Sequence, residues 1–328
     1  MLKGLFVLHT DAYDRIYGPQ EREDIGELVD IYAPQQTAQS VQENPSMLAE
    51  ADVIFSGWGM AKMDEAFLAA APKLKAVFYG AGSIRGFATD AAWDRGILIT
   101  SAYAANAIPT AEFALSQILF SLKRGWHYAL AIRHDGRYPK RGTVPGAYES
   151  TVGLVSLGMI GSYVAELLQA FDVNVLAYTS SEEKAARLGA KRASLDEVFR
   201  QSDVVSLHTP WLPETVGMIT GEHFAAMKPG ATFINTARGA VVRENELIAV
   251  LQERPDLYAV LDVTYPEPPV EGSPLYTMPN VVLTPHIAGS LSAECRRMGR
   301  YAINELKHYL AGEPQEWAIS REQAAKLA

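Results

Sequence analysis

Apolar residues along this chain fall into two kinds of stretch. Short runs rich in Val, Ile, Leu and Phe alternate with longer stretches in which apolar residues recur every three or four positions. The short runs predict strands, and the periodic stretches predict amphipathic helices such as Met63–Ala71. Because strands and helices alternate, the pattern predicts parallel β–α units and an α/β fold. The predicted strands are Leu5–Leu8, Val53–Phe55, Leu74–Tyr79, Ile97–Thr100, Val152–Val155, Asn174–Tyr178, Val204–Leu207, Thr232–Asn235, Tyr258–Leu261 and Val281–Leu283.

The strand pattern is interrupted near the middle of the chain. Ala107–Arg124 has the period of a long amphipathic helix, and His134–Ser150 is polar and rich in Gly, Pro and Tyr, as surface connections are. After the last strand, Leu291–Ala311 is again helical, and Gly312 and Pro314 are residues that commonly end a helix. Two sets of strands in 328 residues predict two domains.

A glycine turn follows the first strand of the second set. Residues 152–161 read Val-Gly-Leu-Val-Ser-Leu-Gly-Met-Ile-Gly, and we expect Ser162–Phe171 to continue as a helix. This is the setting of a dinucleotide-binding fingerprint, in which Gly158 lets the backbone approach a pyrophosphate and Gly161 lets the helix pack closely on the strand. The first glycine of the fingerprint is Ser156 here, which we expect to be tolerated if its backbone angles stay in regions open to L residues.

The choice between NAD and NADP stays open in the sequence. An Asp or Glu about 20 residues beyond the fingerprint normally binds the ribose 2′-hydroxyl of NAD. The corresponding position here is Thr179, so a 2′-phosphate would meet no negative charge. No arginine follows immediately, and the nearest cations along the chain are Lys184 and Arg187.

The composition narrows the class of function. The net charge of −9 disfavours nucleic-acid binding, and a site for an anion must therefore be built locally. The one cysteine, Cys295, fits a reducing compartment, and no Cys or His spacing is typical of a metal site. The apolar run in Met1–Thr10 is too short for a signal-peptide core, and no run of about 18 apolar residues occurs. The sequence therefore predicts a cytoplasmic protein without a membrane span.

Three strands of the second set end at reactive side chains. Arg238, Glu267 and His286 follow consecutive predicted strands, and open α/β sheets bind their ligands beyond the carboxyl ends of strands. Reduction of a 2-oxo acid needs a cation for the substrate carboxylate, an acid for the carbonyl oxygen, and a carboxylate that orients the acid and keeps it charged. Each residue alone is compatible with a structural role. Together, after a glycine turn, they predict a catalytic set.

At this point the chain resembles the D-isomer-specific 2-hydroxyacid dehydrogenase family, and the resemblance covers nearly the whole chain. Two motifs surround Arg238 and His286, and a third combines Asp262-Val263 with Glu267-Pro268. The matching stretches are 202–210, 227–231, 235–239, 262–263 with 267–268, 284–289 and 312–314.

The resemblance implies roles for individual residues. Arg238 would bind the substrate carboxylate, His286 would be the acid in reduction and the base in oxidation, Glu267 would pair with His286, and Asp262 would lie near the nicotinamide carboxamide. Substrate contacts would include Arg238 and His286, with Trp58, Ala81 and Gly82 from the first strand set. Cofactor contacts would fall on Ser156, Gly158, Met159, Ile160, Gly161, Thr179, Ser180, Thr209, Pro210, Thr236, Ala237, Arg238, Asp262, His286 and Gly289.

The same resemblance implies an architecture and an activity. Two Rossmann-like domains with parallel sheets are expected, with an NAD(P)-binding domain at 102–286 inserted into a flavodoxin-like substrate domain at 1–101 plus 287–328. The implied activity is hydride transfer between NAD, or NADP, and a small 2-oxo or 2-hydroxy acid. A homodimer is implied through the region of Trp126, Tyr138 and Tyr148, where aromatic residues suit an interface. The alternative is a nucleotide-sensing corepressor with little turnover, as also occurs in this family.

Some polar and aromatic residues have two interpretations. Trp58, followed by Met60 and Met63, can form an apolar wall for the substrate or fill space within the domain. Trp211 can cap the cofactor or cover a loop, and the second is favoured. His208 is interpreted as a structural residue at a strand end rather than as a second acid.

Overall fold

The computed structural model describes residues 1–326, in two compact units. The first unit consists of residues 1–106 together with the stretch that begins at Ser290, and the second is Ala107–Gly289. The predicted domain boundaries, at 101/102 and 286/287, lie a few residues away from these limits. The last two residues of the predicted substrate domain, 327–328, lie outside the described residues.

The two units contain twelve strands and fourteen α-helices within residues 1–326. The strands are β1 (Lys3–Val7), β2 (Asp30–Ile31), β3 (Val53–Ser56), β4 (Ala76–Tyr79), β5 (Leu98–Ser101), β6 (Thr151–Val155), β7 (Asn174–Tyr178), β8 (Lys191–Arg192), β9 (Val204–Leu207), β10 (Thr232–Asn235), β11 (Tyr258–Leu261) and β12 (Val281–Leu283). The helices are α1 (Thr10–Ile16), α2 (Pro19–Leu28), α3 (Ala38–Glu43), α4 (Glu65–Ala70), α5 (Asp90–Asp94), α6 (Tyr103–Leu122), α7 (Gly125–Asp135), α8 (Met159–Leu168), α9 (Glu182–Arg187), α10 (Leu195–Gln201), α11 (Gly221–Ala225), α12 (Glu244–Glu253), α13 (Cys295–Ala311) and α14 (Arg321–Ala324).

The first unit is built on a five-stranded parallel sheet in the order β2-β1-β3-β4-β5. Its strands are apolar on both faces because helices cover both sides, as parallel sheets require. One face packs Phe6, Phe55 and Phe78 against α13, and the other packs residues such as Leu5 and Val77 against α4. The α13 helix ends at Gly312, whose φ of 70° is the left-handed conformation that glycine adopts readily.

The second unit contains a seven-stranded parallel sheet in the order β12-β11-β10-β9-β6-β7-β8. The chain order reverses between β6 and β9, which is the switch point at which such sheets bind dinucleotides. Buried residues cover both faces, including Phe199 and Phe233 on one and Val164 and Ile234 on the other. The three-residue strand β12 forms one edge of this sheet.

The sequence located the central strands correctly and missed two at the edges. All ten predicted strands are present, with ends shifted by at most two residues. The two missed strands, β2 and β8, are two residues long, and β8 is exposed throughout. An exposed strand of that length has no hydrophobic pattern by which it could be recognised.

Three helix predictions need correction. The α8 helix begins at Met159 rather than Ser162, because the glycine turn is shorter than expected. The α6 helix begins at Tyr103 rather than at Ala107. The α7 helix was not predicted. It ends at Asp135 and therefore includes the first two residues of the predicted connection His134–Ser150. It has no fully buried residue, so it lacks the apolar periodicity by which helices are recognised.

Across residues 1–326, none of the helices combines the length and the apolar character that crossing a membrane requires.

Candidate active site

Three neighbouring strands of the seven-stranded sheet end at polar side chains. Arg238 follows β10, Glu267 follows β11 and His286 follows β12, and these strands lie side by side. Because they run parallel, their carboxyl ends meet at one edge of the sheet. The three predicted catalytic residues therefore lie on adjacent segments of one unit.

His286 and Glu267 form a direct pair. The Nδ1 atom of His286 lies 2.6 Å from Oε1 of Glu267. The two side chains are 48% and 40% exposed, so the pair is accessible from solvent. A carboxylate at Nδ1 favours the tautomer that carries a proton on that nitrogen. Nε2 is then the ring atom that remains to face a ligand.

The backbone around His286 is held by Asp262, which is buried. The Asp262 carboxylate accepts hydrogen bonds from Thr284 Oγ1 at 2.5 Å, from the Ile287 amide at 2.8 Å and from the Ala288 amide at 2.8 Å. Its carbonyl oxygen accepts the His286 amide at 3.0 Å. His286 itself has a φ of 53°, a left-handed conformation that non-glycine residues adopt rarely. The hydrogen bonds from Asp262 stabilise the loop that requires this conformation.

Arg238 is positioned by a compact turn at the end of β10. The Asn235 side chain accepts the Ala237 amide at 3.0 Å and donates to the Arg238 carbonyl at 3.2 Å, which closes the turn. At Gly239, a Cβ atom would lie 2.0 Å from the carbonyl carbon of Thr264. Glycine is therefore required for the turn after β10 to pass so close to the turn after β11.

The glycine turn has the geometry of a dinucleotide site at two of its three positions. Gly158 is the N-cap of α8 and has no side chain to cap the first-turn amides, so these remain suited to an anion. At Gly161, a Cβ atom would lie 2.2 Å from the carbonyl oxygen of Ser156, so the helix approaches the turn as the fingerprint requires. Ser156 has a φ of 81°, so the expectation that its backbone stays in ordinary regions is wrong. The serine adopts the glycine conformation instead.

The residues after β9 and β10 form further walls of the same edge. Thr209 is buried, and its hydroxyl donates to the Val155 carbonyl at 3.3 Å. The Thr236 hydroxyl is buried without a hydrogen-bond partner among residues 1–326, so it remains able to bind a group that enters the site. The other predicted contacts in this unit lie on the same segments. Met159 and Ile160 begin α8, and Pro210 follows Thr209. Ala237 is buried next to Thr236, and Gly289 is the last residue of the unit. These features fit a bound dinucleotide.

His208 cannot serve as a second acid. It is buried after β9, and neither ring nitrogen has a partner among the described residues. Burial lowers the pKa of His208 to about 4, so the ring is neutral near neutral pH. The structural interpretation of this histidine agrees with that placement.

Arg192 is a residue that the sequence interpretation missed. Thr179 and Ser180 follow β7, and the Nε atom of Arg192 donates to the Thr179 carbonyl at 3.0 Å. Arg192 lies on the edge strand β8, thirteen positions beyond Thr179. Only the pairing of β8 with β7 brings this cation to the end of β7. Lys184 and Arg187 are nearer to Thr179 along the chain, whereas Arg192 is brought to it by the fold.

The predicted substrate contacts Trp58, Ala81 and Gly82 lie in the first unit. The Ala81 and Gly82 carbonyls both accept the Ser101 hydroxyl, at 3.0 and 2.6 Å, which fixes the turn after β4. Trp58 follows β3, is half-buried, and has the Arg15 guanidinium over its ring at 5.4 Å. Trp58 thus packs within its own unit, in line with one of its two interpretations. Within residues 1–326, no three His, Cys, Asp or Glu side chains are placed to hold a metal ion.

The comparison with protein families decides between classes of α/β protein. A family model described as D-isomer specific 2-hydroxyacid dehydrogenase, NAD binding domain, matches residues 116–288, more than half of the chain. The chain belongs to the D-isomer-specific 2-hydroxyacid dehydrogenase family. The match includes the glycine turn, Arg238, Glu267 and His286. The predictions of this dehydrogenase family, of a fold with two parallel sheets and of NAD as cofactor are confirmed.

Individual relatives agree with that assignment. D-3-phosphoglycerate dehydrogenase of Mycobacterium bovis is 37% identical over 255 residues, which is 76% of this chain and 48% of the relative. The enzyme of the same name from Archaeoglobus fulgidus is 31% identical over 262 residues, 79% of this chain and 50% of the relative. The chain therefore spans about half the length of these relatives.

Solved structures show the same fold. The NAD-complexed form of a D-isomer specific 2-hydroxyacid dehydrogenase from Lactobacillus delbrueckii has a TM-score of 0.81 to this structure at 24% identity. The similarity covers 97% of this chain and 100% of that chain.

Proposed function

We propose that this protein is an NAD(P)-dependent oxidoreductase that interconverts a small 2-oxo acid and the corresponding D-2-hydroxy acid. The observation that carries the proposal is the 2.6 Å contact between His286 Nδ1 and Glu267 Oε1, with Arg238 on the adjoining strand end. An acid, a carboxylate that orients it and a guanidinium for the substrate are the groups that this reaction needs from a protein. Membership of the family supports the same reaction.

His286 is proposed to handle the proton. With Nδ1 engaged by Glu267, the Nε2–H of the protonated ring donates to the substrate carbonyl oxygen and transfers its proton as that oxygen gains negative charge. In the oxidative direction, neutral Nε2 removes the hydroxyl proton. Glu267 acts through His286, because its carboxylate holds the ring in one orientation and one tautomer.

Arg238 is proposed to bind and orient the substrate carboxylate. A planar guanidinium binds a carboxylate with two parallel hydrogen bonds, which fixes the direction of the neighbouring carbonyl group. The Arg238 Nη1 atom donates to the Ala237 carbonyl at 2.7 Å, so the side chain is already restrained in the structure. Restraint before binding reduces the entropy lost when substrate is held.

The cofactor is proposed to lie along the strand ends of the second unit. Its nicotinamide supplies or accepts the hydride when bound. The amides at the start of α8 would bind the pyrophosphate, with Gly158 allowing close approach. Thr209, Pro210, Thr236 and Ala237 would line the nicotinamide side of the path. The Asp262 carboxylate accepts three hydrogen bonds from the segment after β12 that contains His286, so we assign it first to holding His286 in place.

NADP is proposed as a second cofactor alongside NAD. Thr179 and Ser180 carry no charge that would repel a ribose 2′-phosphate. Arg192 lies at the same strand end, 3.0 Å from the Thr179 carbonyl, where its cation can attract that phosphate.

Three residues of the first unit, Trp58, Ala81 and Gly82, are proposed as substrate contacts. The turn at Ala81 and Gly82 would offer backbone amides to the substrate carboxylate, as glycine-containing turns commonly do for anions. Trp58 would form part of an apolar wall. The domains are proposed as predicted, with the second unit binding the cofactor and the first unit binding the substrate.

The assembly is proposed to be a homodimer. Tyr138 is 89% exposed and Tyr148 is 71% exposed, and both lie in the segment between α7 and β6. Large exposed aromatic residues are enriched at interfaces. Trp126, in the same predicted region, packs its ring on Phe120 and donates its Nε1–H to Gln117. A cytoplasmic location is also proposed, because the single cysteine, Cys295, is buried as a free thiol.

The proposed activity is tested by mixing the protein with NADH or NADPH and a panel of 2-oxo acids, and following the loss of reduced-cofactor absorbance. Turnover of at least one acid, strongly reduced in His286→Ala, is the expected result. Cofactor binding without turnover on any acid of the panel would contradict the proposed reaction. Equal activity of the His286→Ala protein would contradict the assigned acid.

A further inference from the structure

A cavity of about 180 Å³ lies in the second unit, away from the strand ends that carry Arg238 and His286. It is lined by residues that precede or begin β10 and β11, among them Gly230 and Tyr258, and by residues around the end of α6. Both strands are four residues long. At about 3.3 Å per residue, the cavity therefore lies roughly 13 Å from the carboxyl ends of these strands. The cavity is therefore separate from the proposed catalytic site.

Two polar atoms at this cavity have no hydrogen-bond partner. Ser121 is 5% exposed, and its hydroxyl oxygen is buried and unpaired among residues 1–326. The Nε atom of Arg124 is likewise buried without a partner in that part of the chain. Buried polar groups are nearly always hydrogen-bonded in folded proteins, so the two unpaired groups at this cavity are available to bind a polar group that enters it.

The charge at the cavity is positive. Asp256 also lines it, but Asp256 pairs with Arg254 at 2.9 Å and accepts the Gly230 amide at 2.9 Å. The contact with Arg254 lowers the pKa of Asp256 to about 2, so this carboxylate is ionised and already balanced. Within residues 1–326, the ion pairs do not include Arg124, which leaves its charge uncompensated by an acid.

His127 adds no charge of its own. Its Nδ1 atom lies 2.9 Å from the Tyr258 hydroxyl. Burial, followed by the nearby Arg124, lowers the pKa of His127, so the ring is neutral near neutral pH. Burial also raises the pKa of Tyr258, which keeps its hydroxyl protonated. The two side chains therefore contribute hydrogen-bonding groups and flat ring surfaces.

The remaining walls are apolar. Trp126 and Pro229 line the cavity together with the ring of Tyr258. A dry cavity of about 150 Å³ is large enough to hold benzene, so this one accommodates a ring with a small substituent. A bare inorganic ion would leave the apolar walls without contacts.

We propose that this cavity binds a small organic monocarboxylate with a flat apolar body. The carboxylate would accept hydrogen bonds from the Arg124 guanidinium and the Ser121 hydroxyl, and the body would lie against Trp126 and Tyr258. The site does not depend on the proposed dehydrogenase activity, because none of these residues belongs to the catalytic set.

The test is isothermal titration of the full chain with benzoate, with benzamide as a neutral probe of the same shape. Arg238→Gln is titrated as well, because a carboxylate could bind at that arginine instead. The site variants are Arg124→Gln and Ser121→Ala, and the matched control is Arg200→Gln, which removes an exposed arginine on α10. Thermal melting confirms that each variant is folded, and sedimentation of the same samples gives the oligomeric state.

Benzoate should bind the unaltered chain, Arg238→Gln and Arg200→Gln equally, and benzamide should bind at least tenfold more weakly. Losing a hydrogen bond to a charged group typically weakens binding by about tenfold or more, which is the effect expected for Arg124→Gln and for Ser121→Ala. Loss of benzoate binding in Arg238→Gln would overturn the proposal, and so would unchanged binding in both site variants. A change in oligomeric state in Arg124→Gln without any benzoate binding to the unaltered chain would assign the cavity to a protein interface and would overturn it too.

Discussion

His286 is held by Glu267 and Asp262, which act on different parts of the residue. The Glu267 carboxylate contacts the ring at Nδ1, whereas Asp262 accepts the His286 amide at its carbonyl oxygen and the Ile287 and Ala288 amides at its carboxylate. The first contact sets the tautomer, and the second holds a backbone with a φ of 53°. The position of the proposed acid therefore depends on both side chains, and the two dependences can be separated by substitution.

Replacing His286 with alanine removes the proposed acid and leaves the glycine turn untouched. Loss of a positioned acid typically lowers the rate by about 10²–10⁴, and we expect a decrease of that size in the turnover of a 2-oxo acid. Cofactor affinity, measured by quenching of tryptophan fluorescence, should change little. Near-normal turnover in this variant would remove His286 from the proton-transfer step.

Replacing Glu267 with glutamine keeps the shape of the side chain and removes its charge. The His286 ring then loses the charged partner at Nδ1 that holds it in one orientation. Because the ring donates its proton from that orientation, kcat for reduction should fall by about tenfold or more, while KM for the 2-oxo acid changes little. The measurement is the steady-state rate across a range of 2-oxo acid concentrations, and an unchanged kcat would contradict a functional Glu–His pair.

Arg192 is the residue on which the proposed use of NADP depends. In Arg192→Gln, kcat/KM for NADPH should decrease by about tenfold or more, as expected when a charge-assisted hydrogen bond is lost, and kcat/KM for NADH should change little. Arg187→Gln is the matched control, because it removes an arginine that follows the same strand without a contact to Thr179. Equal changes for both cofactors would argue against a role in selecting the 2′-phosphate.

Among the elements, the turn between β6 and α8 is tightly constrained. Ser156 has a positive φ, Gly158 ends the turn, and Gly161 lies against the Ser156 carbonyl. The two glycines differ in the space around them. Gly161 has no space for a Cβ atom, whereas a Cβ atom on Gly158 would have its nearest neighbour, Ser156 Oγ, at 3.9 Å.

This contrast predicts different results for two alanine substitutions. Gly161→Ala places a Cβ atom 2.2 Å from a backbone oxygen, so it should lower the free energy of unfolding by about 1–3 kcal/mol and weaken NADH binding. Gly158→Ala should leave the melting temperature nearly unchanged but still weaken NADH binding, because the methyl group would stand where the pyrophosphate approaches. Equal melting temperatures for the two variants would contradict the close approach at Gly161.

Elements whose apolar residues recur on a buried face were predictable from the sequence, and exposed elements were not. The central strands were found because both their faces are apolar, and the strand-end residues were found because their motifs follow those strands. The α7 helix and strand β8 were missed because neither has a buried stripe. Contacts that arise from sheet pairing, such as Arg192 at Thr179, require the strand order and cannot be found by proximity along the chain. The left-handed backbone of Ser156 likewise follows from tertiary packing rather than from the residue type.

For the molecule as a whole, the two units differ in what they contain. The proposed catalytic set and all of the predicted cofactor contacts lie in Ala107–Gly289, whereas Trp58, Ala81 and Gly82 lie in the other unit. The relatives extend well beyond the length that this chain matches, so assembly and regulation are properties to be measured on this chain itself.

The proposed dimer makes a prediction about two exposed tyrosines. Tyr138→Ser together with Tyr148→Ser removes the two large exposed aromatic side chains between α7 and β6. We expect this pair of substitutions to shift the sedimentation coefficient from that of a dimer towards that of a monomer. Both tyrosines are exposed and lie outside the buried core, so the melting temperature of the core should be unaffected. A monomeric unaltered chain, or an unchanged dimer in the double variant, would contradict the proposed interface.

The position of β12 at the edge of its sheet has a consequence for heat tolerance. This three-residue strand is only partly buried at Val282 and Leu283, and His286 follows it directly. Edge segments with little burial open locally at a lower free energy than the core, without unfolding the rest of the molecule. Warming would therefore detach the segment that carries His286 while the aromatic core stays intact. Activity would therefore be lost at a temperature below the melting temperature. Between these two temperatures, inactivation would be reversible on cooling.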